Sequence, residues 1–332
     1  MSNKRLYIFD NAKFILITLV LIGHFIELLI KENNIAKSLY IFIYCLHMPA
    51  FIFIAGYFTN INFKFKFYLW KNIKRLLLPY FIFQILYLVF NAAVKEYKLI
   101  LNFKRPFWIL WFLISLFFWR VLLYFTEKSK ISGTLIILLA SAAALAVGFL
   151  DEFGRIYSSS RTAVFLPFFL LGYYFKMYFG STKINDFFSV KNKKTKLYIF
   201  LIYSAEVILI YFFFNNINLE ILYGAHSYLR LELNLFKALL SRFTWISLSL
   251  SNIFLFFRII PAERTVISAY GARSIYPYLL HGFLIIILEK YDLFSAVNSN
   301  FRLIIYLMLA VFLTWLLSTK KARNIFQYIL EF

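Results

Sequence analysis

The chain has 332 residues, 62% of them hydrophobic and 15% charged, with 43 Phe, 24 Tyr and a formal net charge of +21. A soluble domain is roughly 45–50% apolar and about a quarter charged, so this composition excludes a soluble enzyme, a disordered chain and a fibrous repeat. One Cys, Cys45, excludes a disulfide framework or a thiolate metal site.

A membrane-crossing helix needs about 20 mostly apolar residues. Charge-free runs lie at 14–26, 38–63, 76–94, 106–119, 131–150, 162–175, 207–219, 243–257, 274–288 and 303–319. They predict an all-α, polytopic integral membrane protein with ten transmembrane helices, because backbone groups in hydrocarbon must be satisfied within the segment. The short runs must absorb a charge: Glu27 in the first, Arg120 in the fourth, Lys176 in the sixth and Glu206 in the seventh. The first run is not read as a cleaved signal peptide, since Lys31-Glu32-Asn33-Asn34 follows it without a small-x-small site. One membrane-embedded domain is expected over residues 1–332, with an outer loop at 215–242 and no separate soluble domain.

Loop charges set the orientation. With the N-terminus inside, 21 of the 36 Lys and Arg fall on the inner side and 13 on the outer, which predicts both termini in the cytoplasm. The net charge then reflects topology and anionic lipid headgroups. The basic residues are scattered over loops and tails, so no nucleic-acid partner is expected.

Ionisable residues inside spans are costly and mark functional positions. The first run carries Asp10-x-x-Lys13-x10-His24-x-x-Glu27. On a helix, Lys13 and His24 lie about 20° apart on one face and about 16 Å apart along the axis. His24 and Glu27 are neighbours at i,i+3. A carboxylate beside an imidazole fixes its tautomer and raises its basicity, as a general base requires. The pattern suits an elongated anionic cofactor entering from inside, with its phosphates at Lys13 and Asp10 in the same candidate set. The alternative is a packing histidine with a snorkelling lysine.

In the second run His47 precedes Pro49, which can kink the helix beside it, and Gly56 permits close helix packing. Lys71, Lys74 and Arg75 share a helix face before the third run and could clamp phosphates or anchor the helix at the membrane surface. Arg161 opens the sixth run, placed either to meet an outward-facing substrate or to anchor its helix. Glu206 has no partner legible in sequence. His281, in the ninth run, is expected at the depth of His24 and His47, whereas His226 is expected to be solvated in the outer loop. The chain has no nucleophile elbow, dinucleotide fingerprint, phosphate-binding loop or zinc motif, so no metal is expected.

Taken in order, Asp10/Lys13/His24, Leu46-His47-Met48-Pro49 through Gly56-Tyr57, Lys74-Arg75-Leu76-Leu77-Leu78-Pro79-Tyr80 and Tyr278-Leu279-Leu280-His281-Gly282 resemble the membrane acyltransferase-3 family, in particular its fucose O-acetylase-like branch of bacterial sugar O-acetyltransferases. The resemblance runs from Arg5 to about Phe283. It implies a ten-helix enzyme of a bacterial cell membrane that moves an acetyl group from cytosolic acetyl-CoA to a hydroxyl of a surface glycan or lipid-linked sugar. It also implies His24 as the intramembrane histidine and Lys13 where relatives often carry Arg. Lys74 and Arg75 then fall on the basic stretch, and Asn72 stands where relatives commonly show a second arginine. On this reading Glu27 orients His24, while His47, His281 and Arg161 line the tunnel or meet the acceptor. A polysaccharide synthesis or export system is the expected partner. The competing reading is a transporter or flippase for a polysaccharide or its precursor, with the histidines as a proton relay.

Overall fold

The first apolar run folds as one helix of 21 residues, α1 (Tyr7–Glu27), buried on most faces from Ile8 and Phe9 to Phe25 and Ile26. A helix apolar all round belongs inside a bundle or a bilayer. The computed structural model describes residues 5–129, 131–151, 154, 156–180, 184–188, 192–214 and 217–330. Asn215 and Asn216, at the head of the expected outer loop, and the charges of Lys4, Lys130, Arg155, Lys183 and Lys191 lie outside the described residues.

The second run is split into α2 (Asn34–Tyr44) and α3 (His47–Tyr57). Pro49 accounts for the break at Cys45–Leu46: it has no N–H for the Cys45 carbonyl, and its ring crowds that oxygen. The Asn33 side chain starts α2 by accepting from the Ala36 N–H at 2.9 Å. Next, α4 (Phe65–Asn72) passes through a π-helical turn, Ile73–Leu77, into α5 (Leu78–Lys95). Pro79 again removes a backbone donor, and the wider turn absorbs the mismatch.

A 3-10 turn, Trp108–Leu110, leads into α6 (Trp111–Thr126), and α7 (Gly133–Ala146) ends in another, Val147–Phe149. The remaining helices are α8 (Ser159–Phe179), α9 (Ile184–Phe188), α10 (Lys193–Leu209), α11 (Glu220–Tyr223), α12 (Leu235–Ile259), α13 (Ser268–Gly271), α14 (Ile275–Tyr291), α15 (Ser299–Leu317) and α16 (Lys320–Leu330). There is no strand among the described residues. The fold is all-helical.

Among the described residues, 8 helices are long and apolar enough to cross a membrane. The other two predicted runs, Gly133–Phe149 and the 17-residue α14, are shorter, about 25 Å at 1.5 Å per residue. Two boundaries differ from the charge-free runs. The seventh span is Lys193–Phe213 rather than 207–219, and the eighth starts at Leu235 rather than 243. Both helices begin with lysines or take in an arginine, which a charge-free criterion excludes although long basic side chains snorkel at helix ends. The expected outer loop at 215–242 therefore contains α11 and the first two turns of α12.

The chain forms two compact units. The first comprises Met1–Phe51, Phe179–Ile217 and Leu248–Gln327. At its centre α1 packs against α2, α13, α14 and α15. Phe25 meets Tyr306 edge-on at 5.9 Å, and Arg302, on α15, is paired with Glu32 beyond the end of α1. The second unit comprises Ile52–Tyr178, Asn218–Ser247 and Tyr328–Phe332. Within it α3 and α8 cross at a reciprocal glycine contact. A Cβ on Gly56 would run into the Phe169 carbonyl, and one on Gly172 into the Phe53 carbonyl, so both positions need glycine for the close approach. On the outside of the two units, Leu138, Phe200, Phe212 and Phe213 are each more than half exposed, a surface that suits hydrocarbon rather than water.

Candidate active site

The site begins on α1. Its unbroken path carries Asp10, Lys13, His24 and Glu27 along one rigid rod, so the axial separation of about 16 Å between Lys13 and His24 holds. His24 Nδ1 lies 3.2 Å from Glu27 Oε2. The His24 side chain is 11% exposed and that of Glu27 is 32% exposed. Against them, α14 brings His281, whose ring stacks on His24 at 5.4 Å and 22°. His47, at the break between α2 and α3, is buried and lies within the electrostatic reach of His24. Its ring meets Tyr44 edge-on at 4.7 Å.

Each of the three imidazoles has an acceptor at Nδ1. For His47 it is the Ile43 carbonyl at 2.6 Å, for His281 the Pro277 carbonyl at 2.7 Å, and for His24 the Glu27 carboxylate. A carbonyl or an ionised carboxylate can only accept, so Nδ1 carries the proton and the neutral ring presents its lone pair at Nε2. In this tautomer Nε2 is the ring atom of each imidazole that can accept a proton.

At the other end of α1, Asp10 is buried and bridges two cations, with Oδ2 at 2.6 Å from Arg5 Nε and Oδ1 at 2.8 Å from Lys13 Nζ. The Asp10 carboxylate thus sits between two cations. Next to Asp10, Asn11 is fully buried and makes four hydrogen bonds. It donates to Pro261 O at 2.8 Å and Glu263 O at 2.9 Å, and accepts from the Thr265 and Ser268 hydroxyls, both at 2.6 Å. This hub pins the start of α1 to the segment leading into α13. Asn11 lies between Asp10 and Ala12, and sequence carries no signal for its role.

The second unit holds the other basic residues. Lys74 and Arg75 lie exposed on the π-helical turn, with Lys74 Nζ 5.3 Å from the Trp70 ring centroid. Neither forms an ion pair among the described residues. Asn72 is buried, donates to Tyr68 O at 2.9 Å and accepts from Arg120 Nη1 at 2.9 Å. Arg120, which sequence marked only as a charge the fourth span had to absorb, thus stands beside the basic turn and within the field of Arg75. Its Nε is buried with no acceptor among the described residues. Arg161, also in this unit, donates from Nε to Tyr223 O at 3.1 Å and covers the Trp111 ring at 5.1 Å. Its guanidinium already serves the loop after α11.

Two expectations change. His226 is buried, not solvated, with Nε2 3.7 Å from Glu220. Glu206 has a partner, Asn252 Nδ2 at 3.0 Å, which ties α10 to α12 inside the first unit. Glu206 and Asn252 are 46 positions apart, which spacing cannot show, and His226 is turned towards Glu220 by the turn that follows α11.

The acyltransferase domain of the acyltransferase-3 family matches residues 6–319. The nodulation protein NolL of Mesorhizobium japonicum is 44% identical over 66 residues, which are 18% of this chain and 17% of NolL. This match thus spans well under a fifth of the relative's length. No solved structure matches the chain. With its helices long and apolar enough to cross a membrane and a family match covering nearly its whole length, the chain belongs to the acyltransferase-3 family of multi-pass membrane proteins.

Proposed function

We propose that the protein transfers an acetyl group from cytosolic acetyl-CoA to a hydroxyl of a cell-surface or lipid-linked glycan, in a bacterial cell membrane with both termini inside. The observation that carries this reading is the His24–Glu27 pair stacked on His281, a general base with its orienting carboxylate in a low-polarity setting. Acyl transfer is the chemistry of the family; the donor and the acceptor are inferred from the basic residues and the resemblance to sugar O-acetyltransferases.

His24 Nε2 would take the proton from the sugar hydroxyl as the oxygen attacks the acyl carbonyl. The bond from that carbonyl to sulfur then breaks, and the imidazolium returns the proton to the departing thiolate. Glu27 stabilises the imidazolium between these steps. His47 and His281, with Nε2 lone pairs, hold neighbouring positions along the proton path. The donor supplies the thioester, and the residues present suit its phosphates: Lys74 and Arg75 have no carboxylate partner among the described residues, and Arg120 holds a buried Nε without an acceptor. Asp10 keeps Lys13 in place at the start of α1.

His24→Ala is expected to abolish acyl transfer to glycan while leaving membrane insertion and acetyl-CoA binding intact. Transfer at the wild-type rate would remove His24 as the base. A transporter or flippase would need no acyl donor. Acetyl-CoA binding that is weakened by Lys74→Ala and Arg75→Ala separates the two readings.

A further inference from the structure

A buried charge of the second unit is not among the residues assigned above. Arg242, on the third turn of α12, is 1% exposed and is among the largest fully buried side chains of the protein. Its Nε and Nη1 have no hydrogen-bond acceptor among the described residues, and no carboxylate among them pairs with it. One turn further along the same helix face, Trp245 is also buried, and its indole N–H also has no acceptor. Trp245 is fixed edge-on between Phe165 at 5.2 Å and Phe168 at 5.8 Å.

Two nearby carbonyls are already taken. The Gly224 carbonyl receives the Ser160 hydroxyl at 2.7 Å, and the Tyr223 carbonyl receives Arg161 Nε. Tyr228 lies under the guanidinium with its ring centroid at 5.7 Å, and its hydroxyl donates to Leu145 O at 2.9 Å. The Tyr228 hydroxyl also faces Arg242 as a side-chain hydrogen-bond partner, but it brings no counter-charge. Gly224 has φ +60, and a Cβ there would come within 3.3 Å of Arg242 Nη1 and 3.0 Å of Val164 Cγ1. The backbone therefore closes over the guanidinium at a position where glycine is required. The cover over Arg242 is the turn-rich stretch 224–234, not a helix.

A guanidinium is a donor with no acceptor capacity and a permanent charge. Burying it without a counter-charge is strongly unfavourable, and the planar fork matches the two oxygens of a carboxylate or phosphate. We propose that Arg242, with the Trp245 N–H beside it, is an oxyanion subsite within the second unit that receives the phosphate or carboxylate of an acidic sugar. The proposal stands on residues of the second unit alone and is independent of the base assigned to His24.

The test uses the purified full-length protein in neutral phosphatidylcholine nanodiscs. Thermal unfolding is followed with glucose, glucose 1-phosphate or glucuronic acid, and separately with acetyl-CoA. Either acidic sugar is expected to raise the Tm of the wild type where glucose does not. Arg242→Gln is expected to lose that rise, with affinity falling by at least about thirtyfold, and Arg242→Lys to keep part of it. The acetyl-CoA shift should be the same in all three proteins. Trp245→Phe keeps the ring and removes only the N–H. It is expected to weaken the acidic-sugar shift, and it serves as the test if Arg242→Gln does not fold. Equal shifts with glucose and the acidic sugars, or full shifts in both Arg242→Gln and Trp245→Phe, overturn the proposal. If phosphatidylglycerol in the nanodisc stabilises the wild type but not Arg242→Gln, and the acidic sugars have no effect, a lipid headgroup occupies the site and the sugar assignment falls. Absence of an acetyl-CoA shift in the wild type would count against the acyltransferase reading alone, because the sugar arms are read independently.

Discussion

Replacing Glu27 with Gln tests the core of the site with little change in shape. The amide oxygen can still accept from His24 Nδ1, so the tautomer survives, and only the charge that stabilises the imidazolium is removed. At the observed 3.2 Å, two unit charges interact by about 5 kcal/mol at an effective dielectric of about 20 and by about 1 kcal/mol at that of water. Glu27 is 32% exposed, which places the pair between these limits, at about 2.5–3 kcal/mol. Each 1.4 kcal/mol is tenfold in rate, so kcat for acyl transfer should fall by about a hundredfold. KM for acetyl-CoA should not change, because the interaction exists only once His24 is charged. Glu27→Ala loses the tautomer control as well and should be slower still. The assay is acetyl transfer to glycan by the purified protein in nanodiscs, with radiolabelled acetyl-CoA and Glu27→Gln run beside His24→Ala. If Glu27→Gln retained kcat within about threefold of wild type while His24→Ala was inactive, Glu27 would have no part in stabilising the base.

Three other perturbations probe the rest of the structure. Arg75→Ala is expected to raise KM for acetyl-CoA by about 10- to 100-fold with little change in kcat, since a charge-assisted phosphate contact is worth about 1.5–3 kcal/mol; a selective fall in kcat would place Arg75 elsewhere in the cycle. Asn11→Ala leaves two carbonyls and two hydroxyls at the start of α1 without their partner, at roughly 1–3 kcal/mol per orphaned buried group. Thermal unfolding should show a lower Tm, and an unchanged value would mean that the hub is dispensable. Gly56→Leu forces a side chain against the Phe169 backbone at the crossing of α3 and α8 and should destabilise by about 3 kcal/mol or more, above the usual range for overpacking because the obstacle is main chain. Detergent-resistant folding of Gly56→Leu at the wild-type level would contradict the close crossing.

Much of this protein is legible from residue order. Apolar runs locate the helices because a helix in hydrocarbon must satisfy its own backbone and present apolar side chains outward. Pro49 and Pro79 mark the break before His47 and the π-helical turn at Arg75, since a missing N–H acts within one turn of the chain. The His24–Glu27 pair follows from i,i+3 spacing on a single helix, and the distance from Lys13 to His24 follows from helix rise alone. All of these are local properties, set within a few turns.

What lay beyond the sequence depends on contacts between distant segments. A charge-free criterion assigned Arg242 to a loop, yet the helix extends to Leu235 and buries the guanidinium, because Val164, Gly224 and Tyr228 converge on it from other parts of the chain. Asn72 holds Arg120 across 48 positions and Asn11 holds Ser268 across 257. The stacking of His24 on His281 joins residues equally far apart. Composition and period determined that this is a helical membrane protein with a candidate base on its first helix. Only the tertiary structure decided which polar groups are satisfied and which have no partner among the described residues, because hydrogen-bond partners and counter-charges are chosen by proximity in space, to which separation along the chain is no guide.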